Sequence, residues 1–174
     1  MEYKAGYVYH IKSEYFDKVD DNRLMKNKEN GRYRPTYYCM DDKQSPIIWV
    51  IPMSSQVEKY RSICDKQIKK YGKSNGIYID RFDGKDSVFL IQNMFPILPI
   101  YISHIHTRNG IPVEVNKRTK AEVEKRVKKV LALHKRGIRS VFTDIERLKE
   151  QMLDEYNSEQ ELYDDYEDEY TRGR

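Results

Sequence analysis

The run Ile47-Ile48-Trp49-Val50-Ile51 limits the architecture of this chain more than any other segment. Five apolar residues in a row, four of them β-branched, read as a strand with both faces covered, so it is expected to be central and buried. Asp41-Asp42-Lys43-Gln44 turns the chain before it, and Pro52-Met53-Ser54-Ser55 is expected to break it afterwards.

The neighbouring segments supply partners for such a strand. Ala5–Ile11 and Thr36-Tyr37-Tyr38-Cys39-Met40 are rich in aromatic and β-branched residues and read as strands. Ile77-Tyr78-Ile79 and Ser87–Ile91 flank an Asp83-Gly84 turn and predict a hairpin. Asn93–Ile97 and Ile100–Ile105 are short strands, the first interrupted by Pro96 and therefore placed at an edge. Ser13–Phe16 begins a short helical turn, residues 20–33 read as a long polar loop, and Asn109-Gly110 is a further turn.

Three helices are predicted, each opened by a capping box: Ser55 with Glu58, Thr119 with Glu122, and Thr143 with Glu146. Val57, Tyr60, Cys64, Ile68 and Tyr71, with Ile63 beside them, share a face of the first, which Gly72 closes. Val123, Val127, Val130, Leu131 and His134 mark the second, which ends at Gly137, and Ile145, Leu148 and Met152 the third. The pattern predicts an α+β fold: a small antiparallel β-barrel decorated by inserted and C-terminal α-helices.

Charge divides the chain unequally. Nine acids follow Leu153, opposed there only by Arg172 and Arg174. The first 153 residues hold 30 basic and 19 acidic side chains, a net +11, and attract polyanions. Residues 1–153 read as one domain, and 154–174 as an acidic tail that is disordered or ordered only on binding. Fifteen tyrosines add faces on which unpaired bases can stack. No apolar run reaches membrane-spanning length, and Met1-Glu2-Tyr3-Lys4 shows no signal-peptide region. Cys39 and Cys64 sit in apolar surroundings and read as reduced core residues of a cytoplasmic protein.

The candidate chemistry starts at the Pro52–Ser55 junction, where two hydroxyls meet a helix N-terminus that favours phosphate. Ser55 is equally explained as an N-cap. Arg34, aimed by Pro35, is a phosphate ligand or an exposed loop arginine. Lys59 either supplies charge one turn away or is only solvated. His104 and His106 share a strand face and form a candidate acid/base or metal pair, with His10 as the sole further ligand for a metal; half-burial without chemistry is the other reading. Asn116-Lys117-Arg118-Thr119-Lys120, continued by Lys125, Arg126, Lys128, Lys129, Lys135 and Arg136, either tracks a phosphate backbone or is a solvated helix face. Gly72-Lys73-Ser74 is not a phosphate-binding loop, because Gln67 stands where that motif needs glycine.

Three segments taken in order resemble the ToxN/AbiQ/CptN group, the protein toxins of type III toxin–antitoxin systems. They are Arg34-Pro35-Thr36-Tyr37-Tyr38, Val50-Ile51-Pro52-Met53-Ser54-Ser55, and Leu90-Ile91-Gln92-Asn93-Met94-Phe95-Pro96-Ile97. The likeness spans Tyr7 to Leu153 and is greatest to CptN-like members. It implies a barrel like that of the MazF/Kid toxins and a metal- and cofactor-independent endoribonuclease. The substrate's 2′-hydroxyl attacks the adjacent phosphate, leaving 2′,3′-cyclic phosphate and 5′-hydroxyl ends. It further implies a pseudoknot RNA antitoxin cut from a repeat precursor, a closed protein–RNA assembly, and roles in growth arrest and phage defence. Ser54 and Ser55 match the family's hydroxyl pair and Arg34 its basic residue. Val57 stands where some members have lysine, with Lys59 as the nearby substitute. Base stacking falls to Tyr33 or Tyr37. The alternative is a non-catalytic RNA- or DNA-binding module; a scaffold working through its acidic tail is a third reading.

Overall fold

The computed structural model describes residues 2–172. Its architecture is α+β, with four α-helices around a mostly antiparallel sheet. The strands of the main sheet are β1 (Val8–Ile11), β4 (Thr36–Asp41), β5 (Ile48–Ser54), β6 (Tyr78–Phe82), β7 (Lys85–Phe89), β8 (Phe95–Ile97) and β9 (Ile102–Ile105). Two small hairpins add β2 (Lys28–Glu29) with β3 (Arg32–Tyr33), and β10 (Thr107–Arg108) with β11 (Ile111–Pro112). The helices are α1 (Ser13–Val19), α2 (Val57–Tyr71), α3 (Lys117–Lys135) and α4 (Ile145–Arg172).

All seven residues of β5 are buried, as its composition predicts. Trp49, Ile51 and Met53 face one core with Tyr37, Cys39 and the Val123–Val127–Val130 stripe of α3. Ile48 and Val50 face the other, with Tyr15 of α1 and Leu148 and Met152 of α4. Helices on both sides are the reason this strand has no polar alternation. A third cluster seats Tyr60 of α2 on Val88 and Leu90.

The strand order is β6-β7-β5-β4-β1-β9, with β8 also beside β5. No ladder joins the end strands β6 and β9 among the described residues. β5 continues through Pro52 to Ser54, where a break was expected. Along one edge it pairs with β8 through Ile48–Val50 and with β7 through Met53–Ser54. Pro52 occupies the handover between those partners; its carbonyl accepts from the Leu90 amide at 3.0 Å. Its missing N–H therefore falls where no ladder partner stands.

None of the three predicted capping boxes forms. α2 starts at Val57 with Gln56 as an N-cap that makes no side-chain cap bond. α3 is capped by Asn116, whose side chain accepts from the Thr119 amide at 2.9 Å. The Asp144 carboxylate accepts from the Arg147 amide at 3.3 Å at the start of α4. Thr119 and Thr143 are buried, and each hydroxyl donates at 2.6 Å, to Asp80 Oδ2 and to the Met94 carbonyl respectively. Asn116, three residues before Thr119, and Asp144, one residue after Thr143, were free to cap because they remained at the surface.

Three further expectations change. Within the predicted 20–33 loop, Asn30 and Gly31, both at positive φ, turn the β2–β3 hairpin. Ile68 and Tyr71 of α2 are 50% and 64% exposed, because the sheet beneath ends before the helix does. The acidic segment, read as disordered or ordered only on binding, is helical in this structure and continues α4 as far as Arg172. Glu155 joins the body through Lys18 at 2.7 Å and the Tyr101 hydroxyl, and Tyr156 packs on the second core. Residues 173 and 174 of that segment lie outside the described residues. No described helix is long and apolar enough to cross a membrane.

The cap assignment is testable by urea denaturation. Asn116→Ala should cost about 1 kcal/mol, whereas Ser55→Ala should stay within about 0.5 kcal/mol of wild type because Ser55 caps nothing.

Candidate active site

A cleft of about 770 Å³ opens where the β2–β3 hairpin, the end of β5, the β6–β7 turn and the paired strands β1 and β9 meet. It gathers Tyr33, Arg34, Ser54, Ser55, His104 and His106, all singled out from the sequence. It also includes His10, Glu29, Arg32, Asp83, Lys85 and Ser87.

Arg34 lies in the connection between β3 and β4 but is only 8% exposed, so it is not an exposed loop arginine. Its burial follows from its neighbour. The Met53 amide donates to the Pro35 carbonyl at 2.9 Å, but Pro35 has no N–H to return the bond. Arg34 Nη1 donates to the Met53 carbonyl instead, at 3.0 Å. Nε donates to the Lys26 carbonyl at 2.9 Å, and Glu29 lies 3.4 Å from Nη1. Nη2 takes part in none of these contacts. Ser54 is buried and its Oγ accepts from the Gln56 amide at 3.1 Å. Ser55 is exposed, directly before the turn into α2, where the helix dipole is positive.

The opposite wall is histidine-rich. His10 and His104 are register partners across β1 and β9, and their rings stack at 4.5 Å and 17°. His106 lies 5.9 Å from His10, ring to ring. His10 Nδ1 is buried without a hydrogen-bond partner. Burial first, and then the two neighbouring imidazoles, push the His10 pKa down to about 4. His104 is exposed, and the Ser103 hydroxyl lies 3.0 Å from its Nδ1. His106 Nε2 lies 3.0 Å from Asp83 Oδ2, and its ring packs 5.4 Å from Phe82. No group of three His, Cys, Asp or Glu side chains among the described residues is placed to hold a metal.

Other sequence candidates fall elsewhere. Tyr37 is 1% exposed, edge-on to Phe89 at 5.5 Å in the core, and offers no face to a base. Lys59 is exposed on α2, 5.3 Å from the Tyr60 ring, and does not line the cleft. No α3 cation lines it either. Arg126 is a structural cation: it donates to the Ser74 and Ile77 carbonyls at 2.7 and 2.9 Å, pairs with Glu122, and lies over the Tyr78 ring. Lys120 pairs with Glu114 and Lys128 with Glu124. Lys117, Arg118, Lys125, Lys129 and Arg136 are exposed. Tyr33 is 43% exposed and lines the cleft, with Lys28 Nζ 4.6 Å from its ring.

Two members of the site carried signals that pointed elsewhere. Asp83 read as a turn residue, and His10 only as a metal candidate. No protein-family model matches the sequence, and no curated protein matches it either.

Two outcomes check this geometry. Arg34→Ala should destabilise the fold by about 1–3 kcal/mol for each stranded carbonyl, measured by urea unfolding. His10 has a folded pKa below its unfolded value, so between about pH 6.5 and 4 the unfolded chain binds more protons. Wild-type stability should therefore drop as the pH is lowered from about 6.5 to 4, and less steeply in His10→Gln.

Proposed function

We propose that this chain is a metal-independent endoribonuclease, the toxin of a type III toxin–antitoxin system, acting in the cytoplasm. The observation that carries the reading is the convergence of a guanidinium, two hydroxyls at a helix N-terminus and three imidazoles in one cleft. Cleavage of RNA by its own 2′-hydroxyl needs little else: cations and donors for the charge growing on the phosphate, and groups that move protons. Ser55 and the start of α2 hold the scissile phosphate, with Ser54 shaping the turn beneath it. Arg34 Nη2, Arg32 and Lys85 neutralise its charge, and the imidazoles handle protons. A base stacks on Tyr33. The exposed cations of α3 bind flanking RNA by charge.

The sheet is read as a barrel whose ladder is completed by side chains. Its end strands meet where Asp83, in the β6–β7 turn, contacts His106, just past β9. A pseudoknot RNA that the enzyme cuts from its own precursor would fill the cleft and silence it in a closed protein–RNA assembly, released in growth arrest and phage defence.

One observation favours the second reading, a non-catalytic RNA-binding module: Arg34 is largely occupied in holding the fold. Incubation of long single-stranded RNA with the protein in excess chelator separates the two. The enzyme leaves 2′,3′-cyclic phosphate ends, and Ser55→Ala cuts the rate by roughly 10²-fold with its fold intact. Binding without cleavage supports the module.

A further inference from the structure

We infer that His106, held by Asp83, is the group that takes the proton from the attacking 2′-hydroxyl, and that Asp83 is its positioning residue. The inference rests on the endoribonuclease reading and assigns one role within it.

Three imidazoles compete for that role, and their surroundings separate them. His10 Nδ1 is buried, and the ring is held neutral between burial and its two neighbours. His104 stands at the surface, stacked on His10, and the hydrogen-bond partner of its ring is the adjacent Ser103 hydroxyl, with no carboxylate beside it among the described residues. His106 alone has a carboxylate, 3.0 Å from Nε2. An ionised carboxylate accepts only, so Nε2 carries the hydrogen and Nδ1 carries the lone pair. The backbone is fixed as well. The His106 amide donates to the Val8 carbonyl at 2.8 Å, and its carbonyl accepts from Val113 at 3.2 Å.

Asp83 is itself built in. It occupies the first position of a tight hairpin turn at φ 50°, followed by Gly84 at φ 79°. Arg108 Nε lies 3.6 Å from Asp83 Oδ1. The Arg108 guanidinium crosses Gly84 so closely that a Cβ there would meet Nη1 at 3.1 Å. A turn explains aspartate followed by glycine. It does not explain a carboxylate aimed at an imidazole on another strand inside a cleft, which is the arrangement of a base and its orienting group.

In the step, the 2′-oxygen bonds to phosphorus as its proton passes to His106 Nδ1. The bond from phosphorus to the 5′-oxygen breaks with its electron pair on that oxygen, which takes a proton from water. The imidazolium, stabilised by Asp83, returns its proton to solvent. The charged and titratable groups around His106 are Asp83 and Arg108 from the two hairpins, His10 at 5.9 Å ring to ring, and the other ionisable residues lining the cleft, His104, Glu29, Arg32, Tyr33, Arg34 and Lys85.

The experiment is a pH–rate profile of RNA cleavage in chelator for wild type, His106→Ala, His106→Gln, His104→Ala and Asp83→Asn. Both His106 variants should lose roughly 10²–10⁴-fold in kcat with KM little changed, and added imidazole should restore part of the activity of His106→Ala. Asp83→Asn should lower kcat with KM little changed, because the imidazole is no longer held in the tautomer that leaves Nδ1 free to accept. A His106→Gln protein as active as a cleaving wild type overturns the inference. So does an Asp83→Asn loss that falls on KM and not on kcat, with no imidazole rescue of His106→Ala. A wild type that binds RNA without cutting it removes the endoribonuclease reading, and this assignment with it.

Discussion

The end of the β4–β5 ladder has a missing donor. Pro35 faces Met53 there and cannot supply the N–H that the Met53 carbonyl requires. β5 is buried throughout, so no water stands ready to repair the gap, and an unpaired buried carbonyl costs about 1–3 kcal/mol. Arg34 repairs it. The guanidinium must fold back beside its own proline, and that brings the Lys26 carbonyl, Glu29 and the β2–β3 hairpin to the same place. The near wall of the cleft is a consequence of the imino acid next to the arginine.

The far wall follows from register. β1 and β9 pair so that His10 meets His104, and a shift in register between His10 and Ile11 accommodates the irregular end of that ladder. Period-two alternation then sends His106 to the same side as His104. The β6–β7 turn closes the arrangement by extending Asp83 towards His106. A stacked pair of imidazoles with a third nearby carries little positive charge only if some of the rings stay neutral. Burial of His10 enforces this for one of them. The basic content of the cleft therefore comes chiefly from arginine and lysine.

Much of the fold was legible in local pattern. The five-residue apolar run, the valine stripe of α3 and the Asp83-Gly84 hairpin each carry a periodicity or a turn chemistry that few alternatives satisfy. The capping boxes were misleading because the motif is short and its hydroxyls have competing uses. Buried against another element, Thr119 and Thr143 bond across the fold and leave capping to Asn116 and Asp144. The β2–β3 hairpin was signalled by Asn30-Gly31, but strands of two residues have no alternation to read. The charge of α3 is visible in the sequence, yet Arg126 is internal to the structure: a cation's partners depend on which backbone carbonyls pack beside it.

By itself, the sequence determined that β5 is central and buried, that Ser54 and Ser55 lie at one strand-to-helix junction, and that His104 and His106 share a face. These are properties of spacing along one strand or one turn. Only the tertiary structure decided that the two groups belong to one cleft, that Asp83 serves His106, that Tyr37 is core, and that α3 lies apart from the site. Each of those statements joins segments separated by tens of residues. The contact depends on the curl and register of the whole sheet, and those are set by packing on both of its faces.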